Sequence, residues 1–138
     1  MEITVTCDTR ATHALLSRAS AQIDFVLRGT LEDSSSYFLA TMKHYPAQRT
    51  GSTYKRTGTL GRSWSARPVT KVANGWQTVV GSNGNIAPYN RRVQDRDRQA
   101  RIHRGRWQTA QGAAEASQAR IQGFLSGRLQ MALAQLGA

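Results

Sequence analysis

Ser65-Ala-Arg-Pro-Val-Thr-Lys-Val-Ala-Asn-Gly-Trp-Gln-Thr-Val-Val80 decides how this chain folds. Two β-rich runs, Ser65 to Val72 and Trp76 to Val80, flank Ala73-Asn-Gly75. An Asn-Gly pair supplies the residues that tolerate positive φ in a tight antiparallel turn, so the stretch predicts a β-hairpin. Gly81-Ser-Asn-Gly-Asn85 comes next, a second flexible turn that closes the sheet.

Outward from the hairpin the apolar period lengthens. Leu15, Leu16, Ala19, Ile23, Val26, Leu27, Leu31, Phe38, Leu39, Met42 and Tyr45 recur at helical spacing, with Arg18, Gln22, Arg28 and Glu32 off the stripe. That pattern predicts a long amphipathic helix, ended by Pro46. Gly29 and Ser34 to Ser36 lower its propensity, and a kink or break is expected across residues 29–36. Before it, Ile3 and Val5 alternate with polar neighbours, a short strand over Glu2 to Thr6 that Asp8 and Thr9 end; either of these is a cap for the helix. On the far side, Thr109 to Leu136 carries a second helical stripe through Ala114, Ser117, Ile121, Phe124, Leu125, Leu129, Ala132, Leu133 and Leu136, expected to pack on the first helix. Gly123 and Gly127, four apart, permit close approach of another element.

The fold class expected is therefore α+β: a small antiparallel sheet packed against a long N-terminal helix and a C-terminal helix, with two long basic loops. At 138 residues it is a single domain, with a scaffold over 1–46 and 107–138 and a basic loop and hairpin segment over 47–106. Pro46 to Lys55 reads as an exposed loop. Thr57 to Trp64 reads as a short helix, capped by Thr57 or Thr59 and anchored by Leu60 and Trp64 on one face. Ala87 to Val93 reads as one helical turn with Pro88 at its first position and Tyr89 and Val93 facing inward together. Asp95 to Arg106 has no hydrophobic period and reads as a second long loop, pinned at its far end by Trp107.

Charge singles out the middle of the chain. Residues 49–106 hold thirteen Lys and Arg against two Asp, a net +11, whereas residues 1–48 hold four basic against five acidic and residues 107–138 two against one. Eleven of those thirteen are arginine, whose planar fork suits fixed bidentate contacts with carboxylate or phosphate. A pI near 11.2 favours a polyanionic neighbour: nucleic acid, an anionic membrane surface or an acidic protein face. A hydrophobic content of 39% with ten aromatic residues makes for a small core, so contacts with other subunits are expected to supplement it.

Chemistry of other kinds finds no footing. A single cysteine, Cys7, forms no intrachain disulfide, and the amino terminus lacks a signal-peptide pattern, the marks expected of an intracellular product. The apolar runs are a few residues long, far short of the roughly 20 that span a bilayer, and a soluble protein with no membrane partner is expected. His13, His44 and His103 are scattered, and no Cys or His pair has zinc-site spacing. Asp95 and Asp97 with His103 form a conceivable hard-metal or nuclease cluster, but the alternation with Arg96 and Arg98 reads as charge pairing on an exposed loop. No nucleophile elbow, phosphate-binding loop or dinucleotide fingerprint occurs. Cys7 reads as a small buried residue. No catalytic residue, metal or cofactor is expected. Nucleic-acid binding has compositional support, since Arg91, Arg92, Arg96, Arg98, Arg101, Arg104 and Arg106 interleave with Tyr89 and Trp107, the types used for phosphate contact and base stacking.

Two motifs resemble a known family. Tyr54-x-Arg-Thr-Gly-Thr-Leu-x-Arg-Ser-Trp64 is similar to the Arg-Thr-Gly-x-Leu-x-x-Ser signature of the neck, or tail-completion, proteins of tailed bacteriophages, a group of minor tail components. Val80-Gly-Ser followed by Ala87-Pro-Tyr89 and Val93 resembles that family's strand, turn and Tyr-x-x-x-Val segment, and Gly105-Arg-Trp107 its Gly-x-Trp loop ending. The motifs span residues 54–107. Where many members continue with Glu and a Gly-Thr pair, this chain has Gln94-Asp-Arg-Asp-Arg-Gln99, so that loop's geometry does not carry over.

The resemblance implies a structural virion protein made in the host bacterial cytoplasm, with no enzymatic activity. It would form a homo-oligomeric neck ring that joins the head to the tail, between head-connector and tail-tube or tail-terminator neighbours, with genomic DNA passing through the channel. Ring closure needs heterologous contacts, in which different patches of each subunit meet. Arg56, Arg62, Arg91, Arg92, Arg96, Arg98, Arg101 and Arg104 are then the expected assembly residues, displayed on loops anchored by Gly58, Leu60, Trp64, Tyr89, Val93 and Trp107. Within the motif, Gly58 is expected to make a tight turn that Arg56 approaches, while Arg62 projects outward. The alternative is a basic nucleic-acid-binding accessory protein associated with genome packaging.

Overall fold

The computed structural model describes residues 1–9 and 20–136. Strand β1 (Glu2–Asp8) leads to helix α1 (Ser20–Lys43), then α2 (Thr59–Ser63), β2 (Trp64–Ala66), β3 (Thr70–Val72), β4 (Gly75–Ser82), α3 (Asn90–Gln94) and α4 (Ala110–Leu136). Leu15, Leu16 and Ala19 of the first stripe, and the side chain of Leu136, lie outside the described residues. The fold is α+β: a small antiparallel sheet packed with an N-terminal and a C-terminal helix.

β4 is the central strand. β1 runs antiparallel along one edge, pairing Glu2 with Gly81 through Asp8 with Gly75. β2 and β3 share the other edge, with Trp64 opposite Ser82 and Val72 opposite Gly75. The hairpin turn falls on Ala73-Asn74, one residue earlier than a turn centred on Asn-Gly, since Gly75 already pairs with Val72 and Asn74 does not take positive φ. Its outer run is split at Arg67-Pro-Val69, since Pro68 has no N–H to donate to a ladder. Two bonds bridge the break: the Arg67 amide donates to the Val79 carbonyl at 2.8 Å, and the buried Thr78 hydroxyl to the Arg67 carbonyl at 2.8 Å. Gly75 lies so close under β1 that a Cβ there would sit 2.1 Å from the Cys7 carbonyl oxygen.

α1 buries Ile23, Val26, Leu27, Leu31, Phe38 and Met42 along the predicted stripe. It is continuous through residues 29–36, so the expected break does not occur. The polar groups there have internal partners: Thr30, Ser34 and Ser35 hydroxyls donate to the carbonyls of Val26, Thr30 and Glu32 at 2.8, 2.6 and 3.0 Å. Gly29 makes room for Arg128 of α4, and a Cβ would lie 2.5 Å from Nη1 of that guanidinium. Arg128 crosses over the glycine, and its Nε and Nη2 both donate to Asp33 Oδ2, at 2.9 and 2.6 Å. Close helix approach thus occurs at Gly29. Gly123 and Gly127 face open space.

The main core gathers Phe38 and Met42 of α1, Trp64 of β2, Val80 of β4 and Ala110 and Ala113 of α4. Phe38 and Trp64 meet edge to face, centroids 6.1 Å apart, a geometry that contributes about 0.5–1.5 kcal/mol beyond burial. The α4 stripe is buried at Ala113 and Ser117 but only half-buried at Ile121, Phe124, Leu125 and Leu129, and Leu133 is exposed. The ring and ion-pair contacts of this outer half, Tyr37 with Phe124 and Asp33 with Arg128, go to α1.

Candidate interaction surface

The turn between Arg56 and Trp64 organises one end of the molecule. Gly58 caps α2 at φ 73°, a left-handed conformation that glycine adopts at no steric cost. Thr57 Oγ1 accepts the amide of Thr59, the first residue of the helix, at 3.4 Å, as the sequence leads one to expect. The Gly61 amide donates to the Tyr45 hydroxyl at 2.8 Å, so a phenol sixteen residues upstream satisfies another of the amides that a helix start leaves unpaired. Leu60 is buried with Ala87 and Val93 in a second, smaller apolar cluster, against which Tyr45 and Trp107 pack.

Arg62, rather than Arg56, is the arginine that approaches the Gly58 turn. Arg62 is exposed yet folds back on the Gly58 turn, its Nη1 donating to the Thr57 carbonyl at 2.9 Å and its Nη2 to Thr59 Oγ1 at 3.2 Å. Arg56 is half-buried, its guanidinium carbon 5.5 Å from the Tyr45 ring centroid and 5.8 Å from that of Trp107. Those two rings stand edge to face at 5.3 Å, so the cation is held by aromatic quadrupoles.

Two glutamines that no sequence period marks fix the rest. Gln94 is fully buried; its Oε1 accepts from Trp64 Nε1 at 2.7 Å and its Nε2 donates to the Met42 carbonyl at 3.1 Å. Gln99 Nε2 donates to the carbonyls of Val93 and Trp107 at 2.7 and 2.9 Å, which draws the ends of segment 95–107 together. Ala100 N to the Arg92 carbonyl, at 2.8 Å, completes the closure. Their only sequence signal is the departure Gln94-Asp-Arg-Asp-Arg-Gln99 itself.

Tyr89 does not face inward with Val93. The inward face of α3 is Asn90, Val93 and Gln94, which leaves Tyr89 at its margin and 44% exposed. Among the remaining predicted residues, Arg96 is tied to Glu115 at 2.6 Å and the Arg104 Nε donates to the Gln99 carbonyl at 3.2 Å. Arg91, Arg92, Arg98 and Arg101 are exposed, and among the described residues their guanidinium groups have no hydrogen-bond or ion-pair partner. Asp95 accepts the Asp97 amide at 3.0 Å in a local turn, and among the described residues no three His, Cys, Asp or Glu side chains cluster as a metal site. Burial first and the charge of Asp8 second push the Cys7 thiol up, away from the thiolate that nucleophilic chemistry needs. Among the described residues no helix is long and apolar enough to cross a membrane.

Segments 45–60 and 89–107 enclose a cleft of about 600 Å³. Leu60 and Val93 form its floor, Tyr45 and Trp107 a wall, and Tyr54 and Ile102, each 69% exposed, its rim. Arg49, Arg56 and Arg106 line it, and among the described residues that do so there is no Asp or Glu. Arg106 Nη2 donates to the Ala47 carbonyl at 3.3 Å, a direct tie between the two segments. Burial, then the charge of Arg106, lowers the His103 imidazole pKa on the same wall. Comparison of the chain with protein-family models, curated proteins and solved structures finds no match in any of the three.

Proposed function

We propose that this chain is a structural virion protein of a tailed phage, a subunit of the neck ring that joins head to tail. One observation carries the reading beyond the motif resemblance. The two arginine-bearing segments converge on one end of the molecule, where four exposed guanidiniums, those of Arg91, Arg92, Arg98 and Arg101, have no partner among the described residues. Arginines left unpaired on ordered turns suit heterologous contact with an acidic face of the next subunit. A ring component requires no catalytic constellation.

The purified chain is expected to run as a closed oligomer in native mass spectrometry and to show rings in negative stain. Replacing Arg98 and Arg101 together by Ala should deplete the ring while circular dichroism of the monomer is unchanged. A ring population untouched by that change removes this surface from the interface, and a monomer that never assembles removes the neck reading.

The packaging-associated nucleic-acid binder is the second reading, favoured by the same four guanidiniums next to exposed Tyr54 and Tyr89. It requires an affinity for DNA that falls steeply with salt, as counterion release dictates. Titrations at two salt concentrations separate it from a ring that forms without DNA.

A further inference from the structure

We infer that the cleft takes an acidic peptide segment with an apolar anchor, contributed by a neighbouring protein chain. The inference deepens the assembly reading and rests on it, since it names what the arginine-bearing end receives.

Charge complementarity commits the cleft to an anion. Arg49 and Arg56 reach into it with no hydrogen-bond or ion-pair partner among the described residues, and no carboxylate lines it. Arg56 is half-buried between two aromatic rings that hold its charge but accept none of its N–H donors. A carboxylate gives such a fork a bidentate partner. The volume, about 600 Å³, is that of a built ligand site, for which roughly 300–1,000 Å³ is usual.

Apolar chemistry chooses the kind of anion. The floor is aliphatic, Leu60 and Val93, and the rim pairs Tyr54 with Ile102 from separate segments of the chain. An exposed apolar opening of this sort marks a contact site. A peptide alternating carboxylates with a branched aliphatic side chain meets both demands at once. Single-stranded nucleic acid asks for stacked π faces and a cationic track beyond them. Here Leu60, Val93 and Ile102 share the lining with the rings, and Arg91, Arg92, Arg98 and Arg101 stand outside it.

Fluorescence anisotropy of the full chain tests this, with four labelled probes: a peptide alternating Glu and Leu, one alternating Glu and Gly, one alternating Lys and Leu, and oligothymidylate. The Glu–Leu peptide should bind best. Arg56→Gln and Ile102→Ser should each weaken it about tenfold or more, a factor that corresponds to about 1.4 kcal/mol, while Arg28→Gln, on α1 and outside the lining, leaves it unchanged. Ile102 is exposed, so Ile102→Ser tests the cleft without disturbing the core. The inference is overturned if the Glu–Leu peptide does not bind, if the Glu–Gly or Lys–Leu peptide binds as well, if oligothymidylate binds better, or if Ile102→Ser has no effect. Native mass spectrometry of the same samples keeps the two proposals apart. Peptide binding without rings overturns the neck reading and leaves the cleft standing, whereas rings without peptide binding do the reverse.

Discussion

Among the described residues, two apolar clusters are built on different principles. The first, around Phe38, Met42, Trp64 and Val80, joins two helices and a sheet, and its members recur at the periods of those elements. The second, Leu60, Ala87 and Val93 under Tyr45 and Trp107, draws on short turns and has too few apolar groups to hold them alone. Polar ties do the rest there: Gln94, Gln99 and the Tyr45 hydroxyl each bond to groups distant in sequence. The scaffold is thus ordered by hydrophobic periodicity and the arginine-bearing end by specific hydrogen bonds.

Trp64 belongs to both regions, packed in the first cluster and bonded to Gln94 of the second. Trp64→Ala should therefore abolish the distinction, destabilising the whole chain by about 3–5 kcal/mol in a urea melt. Gln94→Leu keeps the volume but strands the buried Trp64 N–H and Met42 carbonyl, at an expected cost of about 1–3 kcal/mol seen in the same melt. Gln99→Ala should separate the regions. Amide exchange at Ala100 and Trp107 is expected to accelerate, while amides of α1 and β4 keep their protection.

Asn90 gives an effect of opposite sign. Its side chain is buried, and among the described residues neither Oδ1 nor Nδ2 has a hydrogen-bond partner. Asn90→Leu should raise stability, by up to about 1 kcal/mol, because it removes the desolvation cost of an unpaired amide. Thermal melts check this. The smallest effect belongs to the exposed pair of Arg96 and Glu115. The hydrogen bond from Arg96 holds the Glu115 carboxyl below its usual range. A depressed carboxylate contributes above its unfolded pKa, about 4.3, and loses the contribution as pH falls through the folded value. Melts of Glu115→Gln and the parent chain should therefore differ slightly at neutral pH and converge in acid.

The same contrast explains what the sequence disclosed. The hairpin was legible because turn-forming residues interrupt two β-rich runs, although the turn sits on Ala73-Asn74 and not on Asn74-Gly75, and the helices because a 3.6-residue period repeats across Ile23 to Met42. The cap of α2 was legible only in part, since Thr57 accepts one amide but Tyr45, distant in sequence, accepts another. The seating of Arg56 between two rings was equally hidden: it depends on Trp107 arriving beside Tyr45, a contact between residues 62 positions apart. Gln94 and Gln99 carried no period and sat in a charged run, so pattern alone could not mark them as the residues that close it.

The Arg128 contact with α1 works as an index mark. Gly29 is the only position of α1 without a side chain, and Asp33 stands one turn beyond it. A guanidinium that must pass over one and bond the other finds that combination at a single axial offset. The outer end of α4, where Met131 and Leu133 are exposed, is therefore carried at a set reach from the sheet. Any surface that meets those side chains meets them at a distance gauged by one arginine.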